Sequence, residues 1–156
     1  MAQGTVVIFD DAIEFLLKGS PDCVFDFGAT PDTMKCAIVN NTAPPVVTTS
    51  NPTWGVGGTN LSTNEESGGS MTVGGLVCAS IAVSVVGGVP QIDMGDPATW
   101  VKNASNPTAC FWGVVYSDTA TAKDCLGFVD LGGVFDATTG DLTIAWGAPF
   151  ATIDQV

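Results

Sequence analysis

The sequence contains no histidine and no arginine, and it sets only four lysines against sixteen acidic residues over 156 positions, a formal charge of −12. Without histidine, no side chain titrates near neutrality in its unperturbed state, so the ready general acid or base of many enzymes is missing. The same absence leaves a serine or cysteine nucleophile with no imidazole to activate it. Without arginine there is no planar fork for phosphate or carboxylate. Lys18, Lys35, Lys102 and Lys123 are dispersed rather than clustered. A field of net charge −12 repels polyanions, which argues against a nucleic-acid partner. These absences point to a protein that binds more than it transforms.

Charge is scarce altogether: 13% of residues are charged and 46% are hydrophobic, and mean hydropathy is +0.36. Such a composition is too apolar for disorder, and its surface is expected to be rich in small, apolar and hydroxyl groups of the kind that mark association sites. Long hydrophobic runs are missing as well. The most apolar stretch, Leu76 to Val86, contains Ser80 and Ser84 and stops at Gly87-Gly88, short of the ~20 residues of a membrane helix. No membrane partner is expected. Asp10, Asp11 and Glu14 interrupt the early hydrophobic run, which excludes the pattern of a signal peptide.

The cysteines Cys23, Cys36, Cys78, Cys110 and Cys125 form an odd, widely separated set without a CxxC pair. That spacing argues for reduced, buried thiols of cytosolic origin and against a disulfide framework or zinc site. The Asn-x-Ser/Thr triplets at Asn40, Asn60 and Asn103 are what chance supplies in a chain this rich in Asn and Thr. Paired carboxylates stand at Asp10 and Asp11, Glu65 and Glu66, Asp93 and Asp96, and Asp136 and Asp141. Two carboxyls at a fixed separation suit glycoside hydrolysis, and oxygen clusters suit calcium. None has EF-hand spacing, and solvated turn residues explain them as well. The glycine pairs lack the Lys-Ser/Thr and the helix of a phosphate loop. No catalytic, cofactor-binding or metal-ligating residue is assigned.

What is present reads as one β-rich domain over residues 1–156, with an N-terminal arm and helix in 1–20 and an extended irregular segment over 40–75. A helical period appears once, at Phe9, Ile13, Leu16 and Leu17, with Asp10, Asp11 and Glu14 outside and Gly19-Ser20-Pro21 ending it. Val6-Val7-Ile8 before it suits a short strand or arm. Further on the period is two. Strands are predicted over Met34 to Val39 and Leu76 to Val86, the latter with a bulge between Cys78 and Ile81, and Gly87-Gly88 is a tight hairpin turn into Val89 to Met94. Ala109 to Tyr116, Cys125 to Leu131 and Leu142 to Trp146 complete the set. The predicted fold is mainly β, an antiparallel sandwich or barrel-like domain with one short N-terminal helix. Residues 40–75 are too long for an ordinary loop. They hide irregular strands near Val46 to Thr49 and Met71 to Val73, or form an arm that lies on a neighbour. Trp54, isolated in that polar stretch, suits either an interface anchor or a side chain folded over its own core.

The C-terminal half carries a resemblance. Asp96-Pro97-Ala98-Thr99-Trp100, then Cys110-Phe111-Trp112-Gly113-Val114-Val115-Tyr116-Ser117-Asp118, then Leu126-Gly127-Phe128-Val129-Asp130-Leu131-Gly132 and Gly140-Asp141-Leu142-Thr143-Ile144-Ala145-Trp146 follow in order. Upstream, Glu66, Gly68 and Met71-Thr72-Val73-Gly74-Gly75 extend the series, as does the Phe9 to Leu17 helix. This succession is similar to a family of small virion structural proteins of tailed phages. The chain departs from it at Cys110-Phe111, where the family usually has an arginine before the aromatic strand, and at Met71, where an aromatic is common.

The resemblance implies a virion structural protein of a tailed phage, and the more specific expectation is a capsid decoration, or cement, protein on the outer surface of the head, assembled in the host bacterial cytoplasm. A homotrimer bridging neighbouring copies of the major capsid protein is expected with it, and the N-terminal helix and residues 40–75 are the candidate contacts between subunits. A tail, tail-fibre or receptor-binding component is the alternative of the same class. A glycan hydrolase or lyase using an acidic pair is the alternative from another class.

Overall fold

The computed structural model describes residues 5–18, 25–28 and 30–152. Strand β1 (Val6–Ile8) leads into helix α1 (Asp10–Leu17), and β2 spans Met34–Val39. Two short strands, β3 (Pro52–Thr53) and β4 (Thr59–Asn60), precede a 3-10 turn at Leu61–Asn64 and β5 (Leu76–Val77). Then come β6 (Ala82–Val86), β7 (Val89–Asp93), β8 (Cys110–Ser117), β9 (Cys125–Phe135) and β10 (Ala151–Thr152). The fold is mainly β with antiparallel sheets and one helix, as the periodicities predict. Among the described residues no helix is long and apolar enough to cross a membrane.

The main sheet has the order β1-β9-β8-β2-β5, antiparallel throughout. Near its centre Met34–Val39 runs against Trp112–Ser117. Side chains from both faces of these strands are buried, including Cys36, Ile38, Val114, Val115 and Tyr116, so apolar residues occupy consecutive positions instead of alternating. Helix α1 covers one end. Phe9 packs its ring 5.1 Å from that of Phe128, and Ala12 is fully buried. Asp10 and Asp11 sit in the first turn, where the helix dipole favours them. The Gly19-Ser20-Pro21 stop lies outside the described residues.

Residues 40–75 fold back on their own subunit. Asn40 donates its backbone N–H to Asn64, and Glu66 donates to Ile38, so this segment extends the edge of β2 where β5 ends. Leu61 and Met71 are buried. Trp54 lies under the segment with 5% of its surface exposed, stacked on Tyr116 at 4.9 Å and 12°. It is a core residue. Val46 to Thr49 is a turn instead of a strand, closed by Thr49 N–H to the Val46 carbonyl. Met71 makes a single bridge with Gly68 and no strand.

Two other expectations are corrected. The irregularity between Cys78 and Ile81 is a change of sheet and not a bulge. β5 belongs to the main sheet, Cys78 bridges Pro97, Ser80 takes a φ of 52°, and β6 begins in a second sheet of order β10-β7-β6. Leu142 to Trp146 keeps the alternating burial of a strand at Leu142 and Ile144, but its ladder consists of one bridge, Leu142 to Trp100. The alternation reports contact with the core, and a strand needs a partner over several residues besides. Gly87 and Gly88 form the predicted hairpin turn, with φ of 60° and 86°, the two left-handed positions that a two-residue turn of matching twist requires.

Candidate interaction surface

The second sheet presents an unusual strand. Every residue of β6, Ala82-Val83-Ser84-Val85-Val86, is exposed. The side chains alternate between two faces, so neither face of the strand is covered. β6 is also the outermost strand of its sheet. Val83, Val85 and Val86 are 55%, 67% and 58% exposed, yet the segment reads in sequence as a core strand. Behind it, β7 places Ile92 inward. Ile92 lines a groove of about 260 Å3 with Ile8, Ile13, Leu16, Leu17 and Ala151. An adjoining cleft of about 340 Å3 adds Phe25, Phe27 and Val83. Leu17, 77% exposed at the end of α1, stands over both.

β6 itself carries no charge; Asp93 ends β7 opposite Ala82, and Asp26 stands between Phe25 and Phe27 at the adjoining cleft. From Ser67 to Ile92 no residue is charged, and the exposed valines Val73, Val77, Val83, Val85 and Val86 all fall within that run. The large apolar side chains exposed among the described residues are all aliphatic. Phe25, buried, and Phe27, half-buried, stack on each other at the cleft, and the tryptophans are engaged elsewhere. Trp112 donates Nε1–H to Asn41 and Trp146 to the Met94 carbonyl, at 3.1 and 2.9 Å. An exposed aromatic platform, which sugar or base stacking needs, is therefore not found among the described residues.

Most of the paired carboxylates hold neighbouring stretches of chain in place. Asp11 accepts from the Asn51 N–H at 2.6 Å, Glu65 from Gly74 and Glu66 from the Asn40 side chain at 2.9 Å. These three pin the 40–75 segment. Asp136 caps its own turn through the Thr138 N–H, and Asp141 accepts from the Lys102 N–H at 2.8 Å. Asp93 and Asp96 line an open cleft of about 370 Å3 beside Ser80 and Gly147. Both are exposed, and Asp96 already accepts from the Trp146 N–H at 3.0 Å. Among the described residues no three His, Cys, Asp or Glu side chains gather where a metal ion could be held.

The lysines are largely spent inside the subunit. Lys35 and Lys123 both reach Asp118, at 2.8 and 2.7 Å, and Lys18 reaches Glu14 at 2.7 Å. Hydrogen bonds from Lys123 and Lys35 hold the Asp118 carboxyl below its ordinary range. Burial raises the Glu65 carboxyl, an effect the Gly74 N–H partly offsets. Burial likewise pushes the Cys78 and Cys110 thiols up to about 12 and those of Cys36 and Cys125 well above their usual value. These four are free, buried thiols, protonated at neutral pH and correspondingly unreactive. Cys23 lies outside the described residues.

Comparison with protein-family models, with curated proteins and with solved structures finds no match to this chain. Trp54, helix α1 and the 40–75 segment are the contact candidates expected from the sequence. Of these, Trp54 is buried, the 40–75 segment is packed at home, and α1 contributes Ile13 and Leu17 to the groove. The β6 edge was missed. Its signal in the sequence is the charge-free run between Glu66 and Asp93.

Proposed function

We propose that this chain is a virion structural protein of a tailed phage, a capsid decoration protein that sits on the outer head surface and bridges copies of the major capsid protein. The observation that carries the reading is exposed aliphatic surface, Leu17, Val73 and Val77 among it, on a subunit whose net charge is −12 and whose residues 67–92 carry no charge. The ordered resemblance of the C-terminal half supports it. Apolar area removed from water contributes about 25 cal/mol per Å2, so exposed valines and Leu17 supply adhesion that needs no counter-charge. With Lys18, Lys35 and Lys123 already in ion pairs, the subunit has little cationic surface for attracting DNA, and an anionic exterior does no harm outside the head.

Bridging follows from number. A subunit that touches two capsomers, or an oligomer of such subunits, engages several weak contacts at once, and their combined affinity exceeds that of any one. The bridge then opposes separation of capsomers under internal pressure.

The test is mechanical. Particles produced without this protein should assemble and then rupture at lower temperature or milder osmotic shock than complete ones, and adding purified protein back should restore the threshold. Rupture thresholds that are the same with and without the protein would contradict the proposal.

A further inference from the structure

We propose that β6 is the edge at which two copies of this chain pair, as antiparallel strands related by a twofold axis. β6 ends its sheet, and no backbone hydrogen bond reaches its outer side among the described residues. Pro90 fixes which groups point outward. Lacking an N–H, it cannot exchange both bonds with its partner, so Val85 and Pro90 form a non-hydrogen-bonded pair, and so do Val83 and Ile92 two positions along. The N–H and C=O groups of Val83 and Val85 therefore face the free edge, while those of Ser84 and Val86 face β7.

That phase is self-complementary. If a second β6 runs antiparallel with Ser84 opposite the same residue of the partner, Val83 meets Val85 of the second copy and Val85 meets its Val83. Both are then hydrogen-bonded pairs, and the contact closes on itself. Two three-stranded sheets become one of six strands. Val83 shares its cleft with Leu16, Leu17 and Phe27, so the same contact brings two apolar clefts together on one face of the joined sheet.

Charge selects the occupant. Two subunits of net charge −12 repel wherever their acids meet, but residues 67–92 carry none. β6 also lacks the lysine, proline or bulge with which sheet edges usually prevent pairing. An uncharged edge admits its own copy without setting like charges opposite one another, and gives a basic strand no carboxylate along β6 to pair with. The contact goes beyond the decoration reading and forms in free protein without a capsid. It uses one edge per subunit and leaves any threefold contact elsewhere untouched.

The experiment measures particle mass by sedimentation across a concentration series for the unaltered chain, V85K and V73K, together with amide hydrogen exchange. Val85 and Val73 are both largely exposed, and only Val85 lies on the edge. The unaltered chain and V73K should double in mass as concentration rises, whereas V85K, which places two ammonium groups in each contact, should need about tenfold or more protein to do so. Amides of Val83 and Val85 should exchange fast in dilute protein and slowly in the associated form, with Ser84 and Val86 slow in both. A mass that does not change with concentration would overturn the proposal, as would association that V85K leaves intact or Val83 and Val85 amides that stay fast. Protection appearing only when capsids are added would assign the edge to a capsid strand instead, and would leave the decoration reading standing.

Discussion

At the scale of single residues, the account turns on groups whose surroundings set their role. Trp54 and Tyr116 stack in the core, and the Tyr116 hydroxyl donates to the Gly74 carbonyl at 2.8 Å. Trp54→Ala should therefore lower unfolding free energy by about 3–5 kcal/mol in denaturant titration; a loss below about 1 kcal/mol would return Trp54 to the surface. Gly75 has a φ of 70°, and a Cβ there would meet the Cys36 carbonyl oxygen. Gly75→Ala should destabilise by roughly 3 kcal/mol or more, because the clash with the β2 backbone adds to a strain of about 1–3 kcal/mol.

Titration separates two carboxyls of opposite sign. The folded state depresses Asp118, so its contribution is present above the ordinary aspartate range and fades as pH falls through the lowered value. Asp118→Asn should cost about 1 kcal/mol at neutral pH, a surface ion pair being worth no more, and the cost should shrink on acidification. Burial raises Glu65, so its ionised form weighs against folding at neutral pH and protonation relieves this as pH falls. Glu65→Gln keeps an acceptor for the Gly74 N–H and should be the more stable chain at neutral pH, with the difference closing in acid. Thermal melts at several pH values check both.

At the scale of elements, regularity was legible where a residue's neighbours in sequence determine it. Met34 to Val39, the Gly87-Gly88 turn and the Phe9 to Leu17 period all report local geometry, and each became the element expected. The pairing of Asp11 with the Asn51 N–H spans 40 positions, and that of Glu65 with Gly74 depends on a turn between them. No local pattern reveals such bonds, which is why the 40–75 segment looked like an arm. Leu142 to Trp146 misleads for the complementary reason: burial alternates along it although no second strand accompanies it. The β6 edge was hidden because Ala-Val-Ser-Val-Val is also what a buried strand contains. Val85→Lys, on a strand bare on both faces, should change stability by less than about 0.5 kcal/mol, and a large loss would show that the strand is covered in the free subunit.

At the scale of the molecule, charge and burial divide the work. The acids keep the exterior anionic while many of them hold loops in place, and the charge-free run from Ser67 to Ile92 carries exposed Val73 and Val77 besides the valines of β6. Attachment through such a surface should survive added salt, since screening acts on charges and leaves apolar contacts intact. Val73→Ser with Val77→Ser should release more protein from particles than raising ionic strength does. Release by salt alone would mean that ion pairs hold the subunit. The most direct measurement is the copy number of this chain in purified virions, relative to the major capsid protein. A decoration protein should be present in a fixed, near-stoichiometric ratio to capsid subunits, and a handful of copies per particle would contradict the account and place the chain in the tail.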